Sequence, residues 1–328
     1  MALFRKAGES FIGGKFMVYG QTGSGKSKFT LTFPKIGAID TEAGLSNYEG
    51  HPNLIFVANT SSYKEVEEAV DEIEESLMKE IETFVVDSET KIYDNMQIVC
   101  LDVEEKRAKS KGGEIDDTNL SVRSWGRIKN LTKRLQSAKI DLSSKGIFIV
   151  STAQSSDVTK QVGGERVVVG EKAESHKSLP FDYDVVLRFF VEEKIEKGKK
   201  TAHYTAEVLK DRTSTFNKFD IIDNPSFEMW KPYYDAKKKN GACIQTSYKQ
   251  AVVKDEDAIV EEDKTIDESK SKLKEIIALG DEHKKQVVAI YREVGIKNAG
   301  EITTNKLALR VMELAKAYLE ENQIASEE

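Results

Sequence analysis

A glycine-rich loop at residues 20–27 limits what this chain can fold into more than any other feature. It reads GQTGSGKS, follows a short β-prone run at 15–19 and precedes a helix-like segment at 28–33. In this setting the GxxxxGK[ST] pattern cradles phosphate groups, because glycines let backbone N–H groups curl around the anion and the helix dipole faces it. The pattern therefore predicts a nucleoside triphosphate site.

Two side chains of the loop are expected to act directly on the nucleotide. Lys26 is expected to reach the β- and γ-phosphate oxygens, and Ser27 is expected to ligate Mg²⁺. The expected cofactors are therefore ATP and Mg²⁺. The residues expected to bind the nucleotide are Gly20, Gln21, Thr22, Gly23, Ser24, Gly25, Lys26, Ser27 and Lys28.

Further apolar runs along the chain also end in polar side chains. Residues 83–88 form a β-branched run typical of a strand buried in a parallel sheet, and Asp87 at its end is expected to hold Mg²⁺ directly or through water. Two similar runs end at Glu42 and Gln154, although an acid at a strand end can also be a helix cap. Because ligands bind at the carboxyl edge of open sheets, the pattern predicts an α/β fold whose mostly parallel sheet is flanked by helices.

Length and composition bound the remaining possibilities. The 328 residues suffice for one α/β domain and a smaller unit. No apolar run approaches the ~18 residues that span a bilayer and no signal segment is evident, so we expect a soluble, cytoplasmic protein without a membrane partner. Cys100 and Cys243 belong to no CxxC or Cys/His cluster, so neither a disulfide framework nor a zinc site is expected.

The order of the motifs resembles the RecA-like recombinase core over roughly residues 10–235. The matching segments are the glycine-rich loop, 39–42, 85–88, 152–154, 184–188 and 209–212. In detail the chain looks most like phage-encoded, RecA-related ATPases with single-strand annealing activity. The resemblance implies that Glu42 activates the attacking water and that Gln154 couples the γ-phosphate to a DNA-binding loop. It also implies that Lys210 and Arg212 complete the active site of a neighbouring subunit.

The same resemblance implies a DNA-stimulated ATPase that acts in DNA recombination or annealing. The implied partners are single-stranded DNA, further copies of the chain in a filament or ring, and a single-strand-binding protein or another replication or recombination factor. For a phage-encoded protein the expected location is the host cytoplasm. Two alternatives share this core, namely a ring-forming replicative helicase and a nucleotide-gated DNA loader with little turnover.

One other motif favours a different class of protein. Residues 217–220 read NKFD and match the guanine-reading NKxD motif of GTPases. The residues that follow Asp87 lack the DxxG pattern that a GTPase carries at this point. We therefore interpret the NKxD match as chance.

The net charge of −7 conceals a basic region, since residues 105–145 hold eleven Lys and Arg against five Asp and Glu. Part of this region is predicted to be an amphipathic helix with a solvated cationic face. Its apolar stripe consists of Trp125, Ile128, Leu131 and Leu135. The better candidates for DNA contact are two Lys- and Gly-containing loops at 106–113 and 160–177. Because these loops lack aromatic stacking residues, the contact is expected to be mainly electrostatic.

The composition changes after residue 240. We expect a RecA-like ATPase core at 1–240, a disordered acidic linker at 241–268 and a helical module at 269–328. Within the linker, residues 255–268 hold eight acids against one lysine. Apolar residues at helical spacing predict three helices in the module. The module loosely resembles helix-extended-helix modules of phage DNA-processing proteins, and an oligomerisation or docking bundle is an equal alternative.

Overall fold

The computed structural model describes residues 7–8, 10–110, 119–196, 199–243 and 248–324. The chain divides into two compact units, residues 1–246 and 247–328. Among the described residues, no helix is both long enough and apolar enough to cross a membrane.

The first unit alternates strands and helices. Its strands are β1 (Ser10–Phe11), β2 (Lys15–Gly20), β3 (Ile36–Asp40), β4 (Leu54–Asn59), β5 (Thr83–Asp87), β6 (Phe148–Val162), β7 (Glu165–Ala173), β8 (Val185–Glu196), β9 (Lys199–Asp211), β10 (Ile221–Asp223) and β11 (Ala242–Cys243). Its helices are α1 (Lys26–Thr30), α2 (Tyr63–Glu72), α3 (Glu89–Ser110), α4 (Val122–Ser144), α5 (Leu179–Asp182) and α6 (Lys231–Asn240). A π-helical turn, Ile73–Leu77, extends α2, and 3₁₀ turns lie at Leu45–Tyr48 and Phe227–Met229.

Nine of the described strands form one sheet in the order β10-β9-β8-β2-β6-β5-β3-β4, with β7 paired to β6 beside this path. From β8 to β4 all neighbouring strands are parallel. Strands β9 and β10 add an antiparallel edge, and β7 folds back on β6 as a hairpin. The predicted α/β fold with a mostly parallel sheet flanked by helices is confirmed.

The register of the parallel strands brings their polar ends together. Gly20 at the end of β2 lies opposite Gln154 in β6, and Asp40 at the end of β3 lies opposite Asp87 in β5. Because these strands run in the same direction, all four residues meet at one edge of the sheet. That edge is called the carboxyl edge below, and the opposite edge, where β2 and β8 begin, is called the amino edge.

Two hydrophobic layers cover the faces of the sheet, as the alternation along β2 requires. Phe16 and Val18 point into a layer that also packs against α1 and α6, whereas Met17 and Tyr19 point into the layer under α2, α3 and α4. The first layer is rich in aromatic rings, and Phe16 packs edge-on against Trp230. The burial on both faces fixes the strand that carries the glycine-rich loop.

Helix α4 confirms the predicted amphipathic helix. Ile128, Leu131 and Leu135 are buried in the layer under this helix. Trp125, which the spacing placed on the same stripe, instead leaves 44% of its surface exposed. The helix begins at Val122, so Trp125 lies in its first turn.

The second unit contains the three predicted helices. They are α7 (Tyr248–Ala278), α8 (Lys284–Val294) and α9 (Asn305–Ile324), with 3₁₀ turns at Asp281–His283 and Ala299–Glu301. Leu273 and Ile276 of α7 pack against Val287 of α8 and Val311 of α9. This cluster is the hydrophobic core of the unit.

The prediction of a disordered acidic linker at 241–268 is wrong, because residues 248–268 lie within α7. Within this stretch, the apolar side chain of Ile266 packs against the core of the second unit. Glu262 also accepts a hydrogen bond from the backbone N–H of Asn305 at 2.7 Å. Most of the acidic side chains on this helix face solvent. Because water solvates them there, their charge does not prevent helix formation.

Candidate active site

The glycine-rich loop leaves the end of β2 in a conformation that side chains would obstruct. Gly23 and Gly25 have φ angles of +71° and +96°, a region that favours glycine. A Cβ on Gly20 would lie 2.2 Å from the carbonyl oxygen of Phe189, and one on Gly25 would lie 2.8 Å from the ring of Tyr204. The three glycines therefore allow the tight turn that aims backbone N–H groups at a phosphate.

Lys26 lies across the mouth of this loop. Its Nζ donates hydrogen bonds to the carbonyl oxygens of Gly20 and Gln21, each at 2.9 Å. Burial lowers the pKa of Lys26, while the carboxylates of Asp87 and Glu42 act in the opposite direction. The ammonium group is thus held where phosphate oxygens could pair with its positive charge.

Ser27 and Asp87, the two predicted metal ligands, are brought together by the fold. The hydroxyl of Ser27 donates to Asp87 Oδ2 at 2.8 Å, and the hydroxyl of Thr152 donates to Asp87 Oδ1. Burial raises the pKa of Asp87, and the hydrogen bonds from Thr152 and Ser27 partly offset this effect. A buried carboxylate of this kind gains from a nearby cation.

Glu42 and Gln154 also meet at the carboxyl edge. Gln154 Nε2 donates to Glu42 Oε1 at 3.1 Å, and the hydroxyl of Ser88 donates to the same oxygen at 3.1 Å. Asp40, two residues earlier, accepts backbone hydrogen bonds from Glu42, Gly44 and Leu45. Asp40 therefore shapes the turn that presents Glu42, as a capping carboxylate does.

These groups surround one cavity of about 340 Å³. It is lined by Gly20, Gln21, Thr22, Gly23, Lys26, Ser27, Asp40, Glu42, Gly44, Asp87, Ser88, Gln154 and Ser155. We call this cavity the nucleotide cleft. Glycine N–H groups, one ammonium group and several carboxylates converge in it, which is the donor set expected around a triphosphate and its metal.

The donor atoms in the cleft fit a magnesium-bound nucleotide. The Ser27 hydroxyl and the Asp87 carboxylate are hard oxygen donors, the kind that Mg²⁺ prefers, and they lie within hydrogen-bond distance of each other. Glycine at positions 20 and 25 lets the loop pack closely against the Phe189 carbonyl group and the Tyr204 ring, where any Cβ would collide with the chain. The cleft is therefore suited to hold a triphosphate with its metal on the Ser27 and Asp87 side.

Some predicted nucleotide-binding residues point away from the cleft. Lys28 Nζ donates to Tyr204 Oη at 3.1 Å and lies 4.3 Å from the centre of the Tyr204 ring. Ser24 is buried, and its hydroxyl has no hydrogen-bond partner in the described part of the chain. The direct binding roles predicted for Lys28 and for the Ser24 side chain stay predictions.

Lys210 and Arg212 lie at the amino edge, away from the cleft of their own chain. Strand β9 runs antiparallel to β8, so it ends where β8 begins, with Lys210 opposite Val186. Lys210 Nζ donates to the carbonyl oxygens of Pro180 and Phe181, and Arg212 Nη1 contacts Asp184 at 3.4 Å. Their predicted contact with a neighbour's nucleotide stays a prediction.

The two predicted DNA loops differ from the expectation. Residues 106–110 form the end of α3, and 111–113 lie outside the described residues. Most of the segment 160–177 belongs to the β6–β7 hairpin, because the pairing continues from Ser155–Ala173 to Val162–Glu165. A hairpin whose register shifts between Val158 and Thr159 thus replaces the loop that the sequence predicted here.

Several residues of the cleft escaped the sequence reasoning. Thr152 and Ser88 hold Asp87 and Glu42, and Glu171 of β7 accepts from Gln21 Nε2 at 3.0 Å and from Arg188 Nη1 at 3.1 Å. The signal for Thr152 was a hydroxyl inside an otherwise apolar buried strand, where a polar group needs a partner. Glu171 is 150 positions from Gln21, so no local pattern could reveal their contact.

Comparison with known proteins agrees with this geometry. A family model described as an AAA domain matches residues 13–215, a segment that holds the glycine-rich loop, Asp87, Gln154 and both amino-edge cations. No curated protein matches the chain. Because the match covers more than half of the chain and contains the whole nucleotide cleft, the chain belongs to the AAA domain family of P-loop ATPases.

Proposed function

We propose that the protein is a RecA-like, DNA-stimulated ATPase that binds single-stranded DNA and acts in recombination or annealing. The observation that carries this proposal is the course of strand β6. Its side chain at Gln154 contacts Glu42 inside the nucleotide cleft, and the same strand runs on without interruption into the β6–β7 hairpin. A structural change around the γ-phosphate can therefore be transmitted along the backbone of β6 to the exposed hairpin.

Each polar group of the cleft has a role in this proposal. Lys26 would hold the β- and γ-phosphates, and Ser27 and Asp87 would hold Mg²⁺, which would supply positive charge to offset the charge on the phosphate oxygens. Glu42 accepts a proton from the attacking water, while Ser88 and Gln154 fix the orientation of its carboxylate. The products are ADP and phosphate.

The hairpin supplies the proposed DNA contact. Lys160 and Arg166 are exposed on its two strands, and Arg166 lies opposite Gln161 near the tip. Glu171 near its base accepts a hydrogen bond from Gln21 of the glycine-rich loop, so the hairpin touches the cleft through both of its strands. Cations on a projecting ribbon match the backbone of a single strand, with affinity that falls as salt rises.

The active site is proposed to be completed between copies of the chain. Arg212 is exposed and faces the amino edge, so it is available to a second copy whose carboxyl edge packs there. Lys210 lies beside it and is a second candidate. The assembly is a filament or a ring, which electron microscopy with single-stranded DNA and an ATP analogue distinguishes as open helices or closed rings.

The proposal is tested by measuring ATP hydrolysis with and without single-stranded DNA in two variants. Glu42→Gln should bind ATP normally and lose turnover by about 100-fold or more, because it cannot take the proton. Gln154→Ala should keep ATP binding and lose the stimulation by DNA. Asn240→Ala, which removes an exposed amide of α6 that lies outside both the cleft and the hairpin, is the matched control and should retain stimulation.

Two results would contradict the proposal. Hydrolysis by the unmutated protein that does not respond to single-stranded DNA would remove DNA from the mechanism. Stimulation of Gln154→Ala equal to that of Asn240→Ala would show that β6 does not couple the cleft to the hairpin.

A further inference from the structure

A second cavity, of about 500 Å³, lies beside the base of the hairpin. It is bordered by α3, the first turns of α4 and the segment that follows β7. Two aromatic side chains, Tyr93 and Trp125, line it together with His176. We call this cavity the aromatic groove, and none of the cleft chemistry described above uses it.

Trp125 is the most unusual residue of the aromatic groove. The chain has two tryptophans, and Trp230 is fully buried in the aromatic layer, whereas Trp125 is 44% exposed. Tyr93 and His176 form an edge-on ring pair with centroids 6.1 Å apart in the same groove. Contact of the apolar indole surface with water is unfavourable, and a ligand that covers this surface would remove that cost.

The charges around the groove favour an anionic ligand. Lys129, Lys172 and Lys177 line it against the carboxylates of Asp94 and Glu174. The pKa of His176 is lowered by burial first and then by the positive charges of Lys177, Lys129 and Lys133. Flat rings combined with flexible ammonium groups suit a ligand that has π faces and phosphates.

We propose that the aromatic groove binds single-stranded DNA, with a base stacked on Trp125 and adjacent phosphates beside Lys129 and Lys172. This inference rests on the proposed function and names a site for its DNA. It replaces the mainly electrostatic contact expected from the loops with one that includes stacking. The groove adjoins the hairpin base, because Ser156 and Lys172 pair across the two strands and both line it.

The groove is also tied to the nucleotide cleft by three hydrogen bonds. Glu174 N donates to the carbonyl oxygen of Gln154 at 2.8 Å, and the Thr90 hydroxyl donates to the carbonyl oxygen of Glu174 at 2.7 Å. Gln154 N in turn donates to the Thr90 hydroxyl at 2.9 Å. The backbone of the residue that contacts Glu42 is thus hydrogen-bonded to the rim of the groove. DNA bound in the groove could therefore shift the backbone of Gln154 through these hydrogen bonds.

Intrinsic tryptophan fluorescence tests the inference on the full chain with ATP analogue and Mg²⁺. Titration with an oligothymidylate should quench the emission of Trp125, while buried Trp230 contributes a constant background. Trp125→Phe should lose the quenching yet keep most of the affinity measured by anisotropy of labelled oligonucleotide. Trp125→Ala should lose affinity by about tenfold or more, because the stacking surface is gone.

Phe181→Ala is the matched control, since Phe181 is an exposed aromatic side chain of the same unit that lies outside the groove. It should bind the oligonucleotide as the unmutated protein does. Binding by anisotropy without quenching, together with unchanged affinity of Trp125→Ala, would overturn the groove and leave the proposed function standing. A lack of any DNA binding by the unmutated protein would overturn the proposed function itself. Quenching by single-stranded RNA but not by DNA would overturn the assignment of the ligand.

Discussion

The two edges of the central sheet both carry charged side chains, but they use them differently. At the carboxyl edge, Lys26, Asp87 and Glu42 surround a cavity, and their contacts leave oxygen and nitrogen atoms directed into it. At the amino edge, Lys15, the first residue of β2, forms a mostly buried ion pair at 2.8 Å with Asp184, which directly precedes β8. The first arrangement is built for a ligand, and the second joins two strands.

The length of β2 decides which charges can act on one nucleotide. Five steps from Lys15 to Gly20 at about 3.3 Å each separate the edges by roughly 17 Å, more than twice the reach of an extended arginine side chain. Arg212 therefore cannot touch phosphates in the cleft of its own chain. Arg212 can therefore act only on a nucleotide bound to a neighbouring copy of the chain, or on none.

The largest expected effect is at the carboxyl edge. Lys26→Ala should reduce ATP hydrolysis to background and weaken ATP binding by about tenfold or more, because it removes the charge-assisted contacts to the phosphates. Isothermal titration with ATP and a phosphate-release assay measure the two effects. The fold should persist, since within the described residues the side-chain hydrogen bonds of Lys26 go to two loop carbonyl groups.

Lys28→Ala is the matched control for this variant. Lys28 follows Lys26 by two residues in the same helix, but its ammonium group contacts Tyr204. It should change turnover by no more than about threefold, since a solvent-exposed cation contact contributes little. Equal losses of turnover in the two variants would mean that a general disturbance of α1, rather than loss of the Lys26 contacts in the cleft, lowers the activity.

The next largest effect is expected at the amino edge. Arg212→Ala should bind ATP within about twofold of the unmutated protein and hydrolyse it about 100-fold more slowly, because a cation that stabilises the transferring phosphate is missing. Turnover by the unmutated protein should rise with protein concentration. Concentration-independent turnover would show that each chain works alone.

Mixing variants sharpens the comparison between the edges. Arg212→Ala chains have an intact cleft, and Lys26→Ala chains have an intact amino edge. A mixture of the two should recover part of the activity at interfaces that pair an intact cleft with an intact arginine. A mixture of Arg212→Ala chains with chains that carry both Lys26→Ala and Arg212→Ala should recover no activity. Recovery of activity in that mixture would exclude the sharing of one site by two chains.

A smaller effect is expected from Thr152→Val, which keeps the shape of the side chain and removes its hydroxyl. The hydrogen bond from Thr152 lowers the pKa of Asp87 against the effect of burial, so its loss should raise that pKa further. Because the ionised carboxylate is the form proposed to hold the metal, the acid limb of the activity profile should move to higher pH. Affinity for magnesium ATP at neutral pH should fall about tenfold, as loss of a hydrogen bond to a charged group predicts.

Thr159→Val is the control for that change, because Thr159 lies on the same strand within the exposed hairpin. Its pH profile should match that of the unmutated protein. An unshifted profile in Thr152→Val would show that the hydroxyl does not tune Asp87.

The sequence predicted the parts of the molecule that depend on local patterns. The glycine-rich loop, the strand before Asp87 and the helix that carries Ile128 each have their own periodicity or motif, and each is confirmed by the fold. The meeting of Ser27 with Asp87 followed from the rule that parallel strands end at one edge. Local chemistry and one topological rule were sufficient for these features.

The parts that the sequence missed depend on distant contacts. The acidic stretch before residue 269 resembles a linker in composition, but it is part of α7, and Ile266 within it packs against the core of the second unit. Trp125 has the spacing of a core residue, but it lies in the first turn of α4 and remains exposed. Glu171 reaches Gln21 only because β7 folds back along β6. Composition and spacing carry no information about such partners.

The smallest effect on activity, and the clearest effect on stability, is expected from Lys15→Met. The Lys15 and Asp184 side chains are only 11% and 14% exposed, so removal of the cation leaves a mostly buried carboxylate with the Lys15 backbone N–H and Arg212 as its remaining partners. The free energy of unfolding of the first unit should fall by about 1–3 kcal/mol, less than for a carboxylate left without any partner. Binding of ATP at the other edge should not change.

Lys35→Met is the matched control, because Lys35 pairs with Glu82 at 3.1 Å but the two side chains are 54% and 39% exposed. An exposed pair of this kind should cost no more than about 0.5 kcal/mol, since water screens the charges and solvates either partner alone. Urea denaturation of both variants with the same probe gives the two values. Equal values would mean that burial at the amino edge does not strengthen the Lys15 pair. A loss of ATP binding in Lys15→Met would show that the two edges of the sheet are coupled through β2.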